Sequence, residues 1–170
     1  MSIAICPGSY DPVTLGHLDI ITRTSRIFDH VIVAVMINPN KKTSFTVEER
    51  IDLLRRATEG IPGVEVVGFT GLLADYAHRR GATAIVKGLR AVTDFEYEFQ
   101  MALTNKKLLP YAETVFLTTS AENMYLSSSL VKQVAGFGGD ITDFVPSCVL
   151  ETITGRLLKE KKRTGETEES

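Results

Sequence analysis

The sequence has few of the residues on which disulfide-bonded and metal-binding proteins depend. It contains only two cysteines, Cys6 and Cys148, which lie far apart and form no Cys-x-x-Cys or cysteine–histidine spacing. We therefore expect no metal site built by protein side chains. Both thiols are predicted to be core residues of a protein in a reducing compartment.

Long apolar runs and basic leader segments are missing too. No window of about 18 residues is apolar throughout, which predicts that no helix spans a membrane. No basic segment precedes the first apolar run, as one does in a signal peptide. These absences predict a cytoplasmic protein without a membrane partner.

An excess of basic residues is missing as well. The chain of 170 residues has 19 lysines and arginines against 21 aspartates and glutamates. A general nucleic-acid-binding surface needs a basic excess, so no nucleic-acid partner is predicted. The length fits one domain, which we place at residues 1–162, and the charged residues 163–170 are predicted to be a disordered tail.

What the sequence does contain is one repeated alternation of strand-like and helix-like segments. This alternation is typical of βαβ units, so it predicts an α/β, Rossmann-like fold with a five-stranded parallel sheet and helices on both faces. The predicted strands are 3–6, 31–37, 64–67, 83–86 and 114–117; the predicted helices are 17–28, 47–59, 71–80 and 94–109, one from the serines at 127–129 and one after Pro146. Thr46 and Glu49 form a capping-box pattern, and Asp94 is predicted to cap its helix.

The loop after the first strand is suited to binding an anion. Pro7-Gly8 ends the apolar run, and Gly16-His17 begins a helix. Unpaired backbone N–H groups and the helix dipole both favour phosphate at such a helix start. A histidine in the first helical turn is therefore expected close to a bound phosphate.

Polar residues collect after four of the five predicted strands. Ligands of open parallel sheets bind at the carboxyl ends of the strands, so we expect these groups to form one site. Hydroxyls, lysines, an arginine and helix starts are phosphate-binding groups. They are Ser9 and His17 after the first strand, Asn38 to Lys42 after the second, Lys87, Gly88 and Arg90 after the fourth, and residues 118–129 after the fifth.

The two common nucleotide-binding motifs are absent. No Gly-x-Gly-x-x-Gly follows the first strand, which disfavours a dinucleotide dehydrogenase. No Gly-x-x-x-x-Gly-Lys-Ser/Thr occurs, which excludes a P-loop protein. A phosphate-binding protein of another family is therefore expected.

Five motifs carry a resemblance to one such family. They are Pro7-Gly8-Ser9-Tyr10-Asp11-Pro12, Thr14-Leu15-Gly16-His17, Lys87-Gly88-Leu89-Arg90, Asp94-Phe95-Glu96-Tyr97-Glu98 and Leu126-Ser127-Ser128-Ser129-Leu130-Val131-Lys132. The second and the last resemble the two signatures of the nucleotidyltransferase superfamily. Together the five resemble the bacterial phosphopantetheine adenylyltransferases over nearly the whole chain. Those enzymes transfer the adenylyl group of ATP to 4′-phosphopantetheine, which gives 3′-dephospho-coenzyme A and pyrophosphate.

The resemblance implies a role for each matching residue. His17 would hydrogen-bond the α-phosphate, Lys41 would bridge the incoming phosphate and the α-phosphate, and Ser9 would hold either group. Arg90 would bind the ATP phosphates. With these four as catalytic residues, the implied ATP-binding set is Ser9, Tyr10, His17, Gly88, Leu89, Arg90, Glu98, Asn123, Met124, Tyr125, Leu126, Ser127, Ser128 and Ser129. The implied acceptor-binding set is Ser9, Lys41, Leu73 and Lys87.

The resemblance also implies Mg²⁺ bound with ATP, a homohexamer, and coenzyme A as a feedback inhibitor. Lys87 and Lys132 stand where many members of the family or superfamily have arginine. A lysine keeps the charge but lacks the bidentate guanidinium, so affinity and geometry would differ while the reaction stays the same.

Each residue also has an ordinary structural role open to it. His17 can be a helix-start residue, Lys41 a solvated lysine, Glu98 a solvated helix residue and Leu73 a core residue, while one serine of the run can be an N-cap. Two other functions also stay open. One is a related nucleotidyltransferase with another phosphorylated acceptor, such as a cytidylyltransferase or a nicotinamide mononucleotide adenylyltransferase. The other is a non-catalytic sensor of adenine nucleotides or coenzyme A.

Overall fold

A computed structural model describes residues 1–38, 40 and 42–165 of the chain. Within these residues, strands and α-helices alternate as the sequence predicts. The strands are β1 (Ile3–Gly8), β2 (His30–Met36), β3 (Val64–Phe69), β4 (Ala84–Leu89) and β5 (Glu113–Thr118). The helices are α1 (Leu15–Ser25), α2 (Val47–Ala57), α3 (Leu73–Arg79), α4 (Val92–Leu108), α5 (Ser128–Gly136) and α6 (Leu150–Gly165), and short 3₁₀ turns occupy Ala121–Asn123 and Ser147–Val149.

The five strands form one parallel sheet in the order β3-β2-β1-β4-β5. β1 pairs with β2 along its whole length, whereas it pairs with β4 only through Ala4↔Ala84 and Ile5↔Ile85. Beyond Ile5 the carboxyl-terminal halves of β1 and β4 are therefore not paired. The winding of the chain also reverses between these two strands, which is where ligands bind in open parallel sheets.

The core has two layers, one on each face of the sheet. Val31, Val33 and Val35 of β2 belong to one buried cluster, while the alternating Ile32 and Ala34 belong to the other. The first cluster contains buried residues of α1, α2, α5 and α6, and the second contains those of α3. Helices thus cover both faces, which confirms the predicted fold class. No helix in the described part of the chain is long and apolar enough to cross a membrane.

Two details of the sequence-based prediction are wrong. Cys6 is buried, and burial raises its thiol pKa to about 12, but Cys148 lies exposed in the turn before α6 rather than in the core. Asp94 does not cap α4, because the helix begins earlier and Ala91 occupies the N-cap position. The Thr46–Glu49 capping box is confirmed. Helix α6 continues to Gly165, three residues past the proposed domain boundary, and residues 166–170 lie outside the described part of the chain.

The turn before β3 provides a test of the fold at the amino-terminal end of a strand, far from the carboxyl ends of the strands. Gly63 has φ +73°, and a Cβ added there would lie 2.7 Å from the carbonyl oxygen of Asp29. Gly60 has φ +85°, but an added Cβ meets nothing within 4 Å. We expect Gly60→Ala to cost about 1–2 kcal/mol of unfolding free energy, from the left-handed backbone alone. Gly63→Ala should cost roughly 1–3 kcal/mol more because of the added overlap.

Urea denaturation of the two variants measures this difference. Equal losses of unfolding free energy would contradict the close approach of the Gly63 backbone to Asp29.

Candidate active site

The predicted polar residues lie at the carboxyl ends of β1 and β4. Ser9 follows β1, and Lys87, Gly88 and Leu89 are the last three residues of β4. A Cβ on Gly88 would lie 2.9 Å from Cγ1 of Ile20, so the absence of a side chain lets β4 approach α1 closely. This packing puts the end of β4 beside the helix that carries His17.

The start of α1 holds the His17 ring in one orientation. Thr14 is the N-cap residue, and its Oγ1 accepts the His17 backbone N–H at 3.3 Å. The backbone N–H of Thr14 donates in return to Nδ1 of His17 at 3.0 Å. Because Nδ1 accepts this bond, the ring proton of neutral His17 lies on Nε2. The capping arrangement thus leaves Nε2–H as the ring's free donor.

His17 is neutral at physiological pH. Burial, together with the nearby positive charge of Arg90, lowers its pKa from 6.5 to about 4. The ring packs edge-on against Tyr10, with 4.9 Å between the ring centroids. His17 can therefore donate a hydrogen bond to an anion without itself bringing a charge.

Both cations of the β4 region are paired with carboxylates of α4. Nε and Nη2 of Arg90 donate to the two carboxylate oxygens of Asp94 at 3.1 and 3.4 Å, and Nη1 donates to the Leu126 carbonyl at 2.8 Å. Nζ of Lys87 lies 3.3 Å from an oxygen of Glu98. These contacts hold the cations at the site, so a bound polyanion would have to compete with the two carboxylates. Because α4 begins at Val92, Asp94 lies within its first turn, where its carboxylate pairs with Arg90.

The serine run forms the start of α5. Ser127 is the N-cap residue, and its Oγ accepts the Leu130 N–H at 3.0 Å. Oγ of Ser128 donates to the Pro12 carbonyl at 2.7 Å, and this bond joins α5 to the loop that precedes α1. The side chain of Ser129 is exposed. The start of α5 is therefore tied to the loop that leads into α1.

Several predicted residues have side chains engaged elsewhere. Tyr10 is buried, and its hydroxyl donates to the Cys6 carbonyl at 2.9 Å, so only its backbone is available for a nucleotide. Burial also raises the pKa of Tyr10 well above its usual value. Leu73 belongs to the second core cluster. Lys41 lies outside the described residues.

The segment before α5 presents a mixed surface. Nδ2 of Asn123 donates to Oγ of Ser120 at 2.9 Å, and Leu126 is buried. Met124 and Tyr125, by contrast, are 53% and 58% exposed. This segment has apolar area available for a flat ligand group next to the start of α5.

The sequence alone suggested no role for three residues at this edge of the sheet, Asp11, Lys132 and Arg50. Asp11 is buried, and its carboxylate accepts the backbone N–H groups of Ser44 and Phe45 at 3.1 and 2.9 Å and the Lys132 Nζ at 3.0 Å. Arg50 is also buried, and its Nη1 donates to the Ser9 carbonyl at 2.8 Å. Asp11 lies inside a motif that carried the family resemblance, which was the available signal. No sequence pattern distinguishes Arg50 from a surface arginine.

A separate cavity of about 320 Å³ lies between α2 and α6. Its lining contains the carboxylates of Glu48, Glu49 and Asp52, and its one guanidinium, Arg156, is already paired with Glu49 at 3.0 Å. This balance of charge does not favour a polyphosphate. The β1–β4 edge, with Lys87 and Arg90, is the candidate active site. In the described ranges, no group of three or more histidine, cysteine, aspartate or glutamate side chains is arranged to hold a metal ion.

Comparisons with known proteins agree with the fold and with the family resemblance. The model of the cytidylyltransferase-like family matches residues 5–134. A phosphopantetheine adenylyltransferase of Caldanaerobacter subterraneus subsp. tengcongensis is 57% identical over 159 residues, covering 94% of this chain and 99% of that relative. One of Heliobacterium modesticaldum is 56% identical over 150 residues, covering 88% and 89%.

One solved structure shares the fold at low sequence identity. It is a bifunctional NMN adenylyltransferase/ADP ribose pyrophosphatase from Francisella tularensis, 14% identical with a TM-score of 0.73. The match covers 97% of this chain and 54% of that one.

The protonation of His17 is directly measurable. Its folded-state pKa of about 4 lies below the ordinary value of 6.5, so between these pH values the unfolded chain binds more protons than the folded protein. We therefore expect the folding stability to fall as the pH falls through this window. His17→Gln should lack this component, because a glutamine at this position can keep the capping box but does not titrate.

Histidine ring NMR gives the readout, with urea denaturation at several pH values beside it. A His17 midpoint near 6.5, or a proton on Nδ1 in the neutral form, would contradict the capped and buried ring.

Proposed function

The chain belongs to the cytidylyltransferase-like family and, within it, to the phosphopantetheine adenylyltransferases, and on this premise we propose that it transfers the adenylyl group of ATP to 4′-phosphopantetheine. The products are 3′-dephospho-coenzyme A and pyrophosphate, in a late step of coenzyme A biosynthesis. The observation that carries the reaction class is the convergence of a neutral His17 donor with the cations Lys87 and Arg90 at the ends of β1 and β4. The named relatives support the choice of acceptor.

This reaction needs little acid–base chemistry. A phosphate oxygen of the acceptor is already an anionic nucleophile, and it forms a bond to the α-phosphorus of ATP as the bond to the pyrophosphate oxygen breaks. The barrier lies in bringing two polyanions together and in stabilising charge around the α-phosphate. Positioned hydrogen-bond donors and cations therefore supply the catalysis.

His17 is suited to the reacting α-phosphate. Its free Nε2–H would donate to an α-phosphate oxygen, and the capping contacts with Thr14 fix the ring before the substrate arrives. A preorganised donor loses little freedom when charge develops, which makes it effective in the transition state. Ser9 and Lys41 would hold the acceptor phosphate beside this position.

The remaining groups divide between the two substrates. Arg90 and the start of α5, with Ser128 and Ser129, would bind the β- and γ-phosphates of ATP. Lys87 would bind the acceptor phosphate, and the side chain of Leu73 would line the path of the pantetheine arm. Glu98 would lie near the ribose once Lys87 turns to its phosphate.

Mg²⁺ would arrive with ATP and neutralise part of the triphosphate charge, because this ion keeps several waters and binds substrate phosphates readily. Coenzyme A would compete for the same site, since it contains both the adenylyl and the pantetheine parts of the product.

A homohexamer is also part of the proposal. The exposed side chains of α4 include Phe95, Phe99 and Leu103, which follow one another at four-residue spacing and form an apolar stripe of the kind that is covered by self-association. The reaction belongs with a biosynthetic pathway of the cytoplasm, which we propose as the location.

Pyrophosphate release tests the proposed reaction. We expect purified protein with ATP and Mg²⁺ to release pyrophosphate when 4′-phosphopantetheine is added. Pantetheine is the matched control acceptor, because it lacks only the nucleophilic phosphate and should give no release. Mass spectrometry of the product should identify 3′-dephospho-coenzyme A.

Other outcomes separate the remaining functions. Release that depends on a different phosphorylated acceptor, such as nicotinamide mononucleotide, would contradict the proposed substrate and leave a related transferase. ATP binding by calorimetry without release for any acceptor would contradict the enzyme and indicate a sensor.

A further inference from the structure

Arg50 is a buried cation at the edge of the sheet that carries the candidate site, and the proposed reaction gives it no part. The residue lies near the start of α2 and is 3% exposed. None of the ion pairs found between described residues includes it. Burying a guanidinium costs free energy unless its N–H groups are paired, so its partners should explain why it is there.

Those partners are backbone carbonyls at the ends of two neighbouring strands. Nη1 of Arg50 donates to the carbonyl of Ser9, just after β1, at 2.8 Å, and to that of Met36, the last residue of β2, at 3.4 Å. Nε donates to the carbonyl of Thr46, the N-cap residue of α2, at 3.3 Å. One planar group thus joins β1, β2 and the start of α2.

These contacts involve the segments of two of the three residues proposed to hold the acceptor phosphate, Ser9 and Lys41 but not Lys87. Met36 and Thr46 are the two ends of the β2–α2 connection, and Lys41 lies in the sequence between them. Ser9 is bound directly. The second half of the connection is fixed independently, because Ser44 and Phe45 donate to Asp11.

Arg90 and the start of α5, which would hold the β- and γ-phosphates of ATP, lie on other segments. Arg90 is held by Asp94 and Leu126, and the start of α5 is joined to the Pro12 carbonyl. Among the hydrogen bonds of the described residues, those of Arg50 end only on Ser9, Met36 and Thr46. No hydrogen bond between described residues joins Arg50 to Arg90 or to α5; Asp11 is the residue that links the β2–α2 connection to Lys132 of α5.

We propose that Arg50 is a positioning residue for the acceptor phosphate, which it serves by fixing Ser9 to both ends of the β2–α2 connection. This inference rests on the proposed adenylyl transfer and adds a determinant of the acceptor half of the site. Arg50 itself does not touch the substrate; it acts through the backbone of Ser9 and of the connection. A residue with only a structural role would lower stability and leave the two substrates equally affected.

Two substitutions at Arg50 and a control separate these roles. Arg50→Gln keeps side-chain N–H donors but removes the charge and the planar guanidinium that bonds several carbonyls at once. Arg50→Lys keeps the charge and can reach one carbonyl. Arg55→Gln is the matched control, because Arg55 lies on the same helix and its Nη2 donates to a strand carbonyl, that of Val66 in β3, at 3.4 Å. The readouts are kcat/KM for 4′-phosphopantetheine, calorimetric Kd values for that acceptor and for ATP, and thermal stability.

For Arg50→Gln we expect kcat/KM for the acceptor to fall about tenfold or more, with the ATP Kd changed by less than about twofold, since small misplacements of a reacting group are costly. Arg50→Lys should recover part of the acceptor loss. Arg55→Gln should leave both substrates as in the unmodified protein.

The proposal is overturned if the Arg50 variants lower stability but keep the acceptor kinetics, or if they weaken ATP and acceptor to the same extent. If Arg50→Gln does not fold, Arg50→Lys gives the same comparison of substrates. An unmodified protein that binds ATP but neither binds nor adenylylates phosphopantetheine would refute the proposed function, and the acceptor role of Arg50 with it. An active unmodified protein with unaffected Arg50 variants would refute only the role of Arg50.

Discussion

The capping contact between Thr14 and His17 is the interaction on which the candidate site depends. It satisfies backbone donors at the start of α1, as any N-terminal cap does, and such a cap is worth about 1 kcal/mol. In this protein the reciprocal acceptor is an imidazole nitrogen rather than a carboxylate. The same bonds therefore start the helix, fix the ring and leave the proton on Nε2. Burial beside Tyr10 then keeps the ring uncharged.

Two ion pairs hold the cationic side chains of the site. Lys87 and Arg90 are paired with carboxylates of α4 that are one helical turn apart, Glu98 and Asp94. Such half-exposed pairs contribute little to stability, typically about 0–1 kcal/mol. A triphosphate or a phosphorylated acceptor carries enough charge to replace them. The pairs keep the cations in place in the free protein, so under the proposed function binding would be an exchange of partners.

The sequence predicted the fold because its signals are local. Each strand is a short apolar run between turns. The capping box at Thr46 involves residues three apart, and the motif at Gly16-His17 spans only a few residues. The parts that could not be predicted involve distant residues. Asp11 meets Lys132 across 121 positions, and Arg50 meets Ser9 across 41. Only the folded sheet brings these partners together.

Local patterns also failed where a tertiary contact competes with them. Aspartate is a residue type favoured at N-caps, but the carboxylate of Asp94 pairs with Arg90 and Ala91 is the N-cap residue. The hydroxyl of Tyr10, a residue predicted to bind ATP, donates to the Cys6 carbonyl in the core, so that prediction now concerns only its backbone. Cys148 was predicted to be buried by the usual preference of cysteine, but it lies in an exposed turn. In each case the side chain follows its three-dimensional neighbours rather than its residue type.

The proposed reaction depends most on a neutral His17 that acts on the transition state rather than on bound ATP. The most direct measurement compares kcat and the ATP Kd of His17→Ala with those of the unmodified protein, with His17→Gln as the variant that keeps the helix cap. We expect kcat to fall about 10²–10³-fold in His17→Ala while the ATP Kd rises less than about threefold. A loss of kcat matched by an equal loss of ATP affinity would contradict it, because the histidine would then serve binding alone.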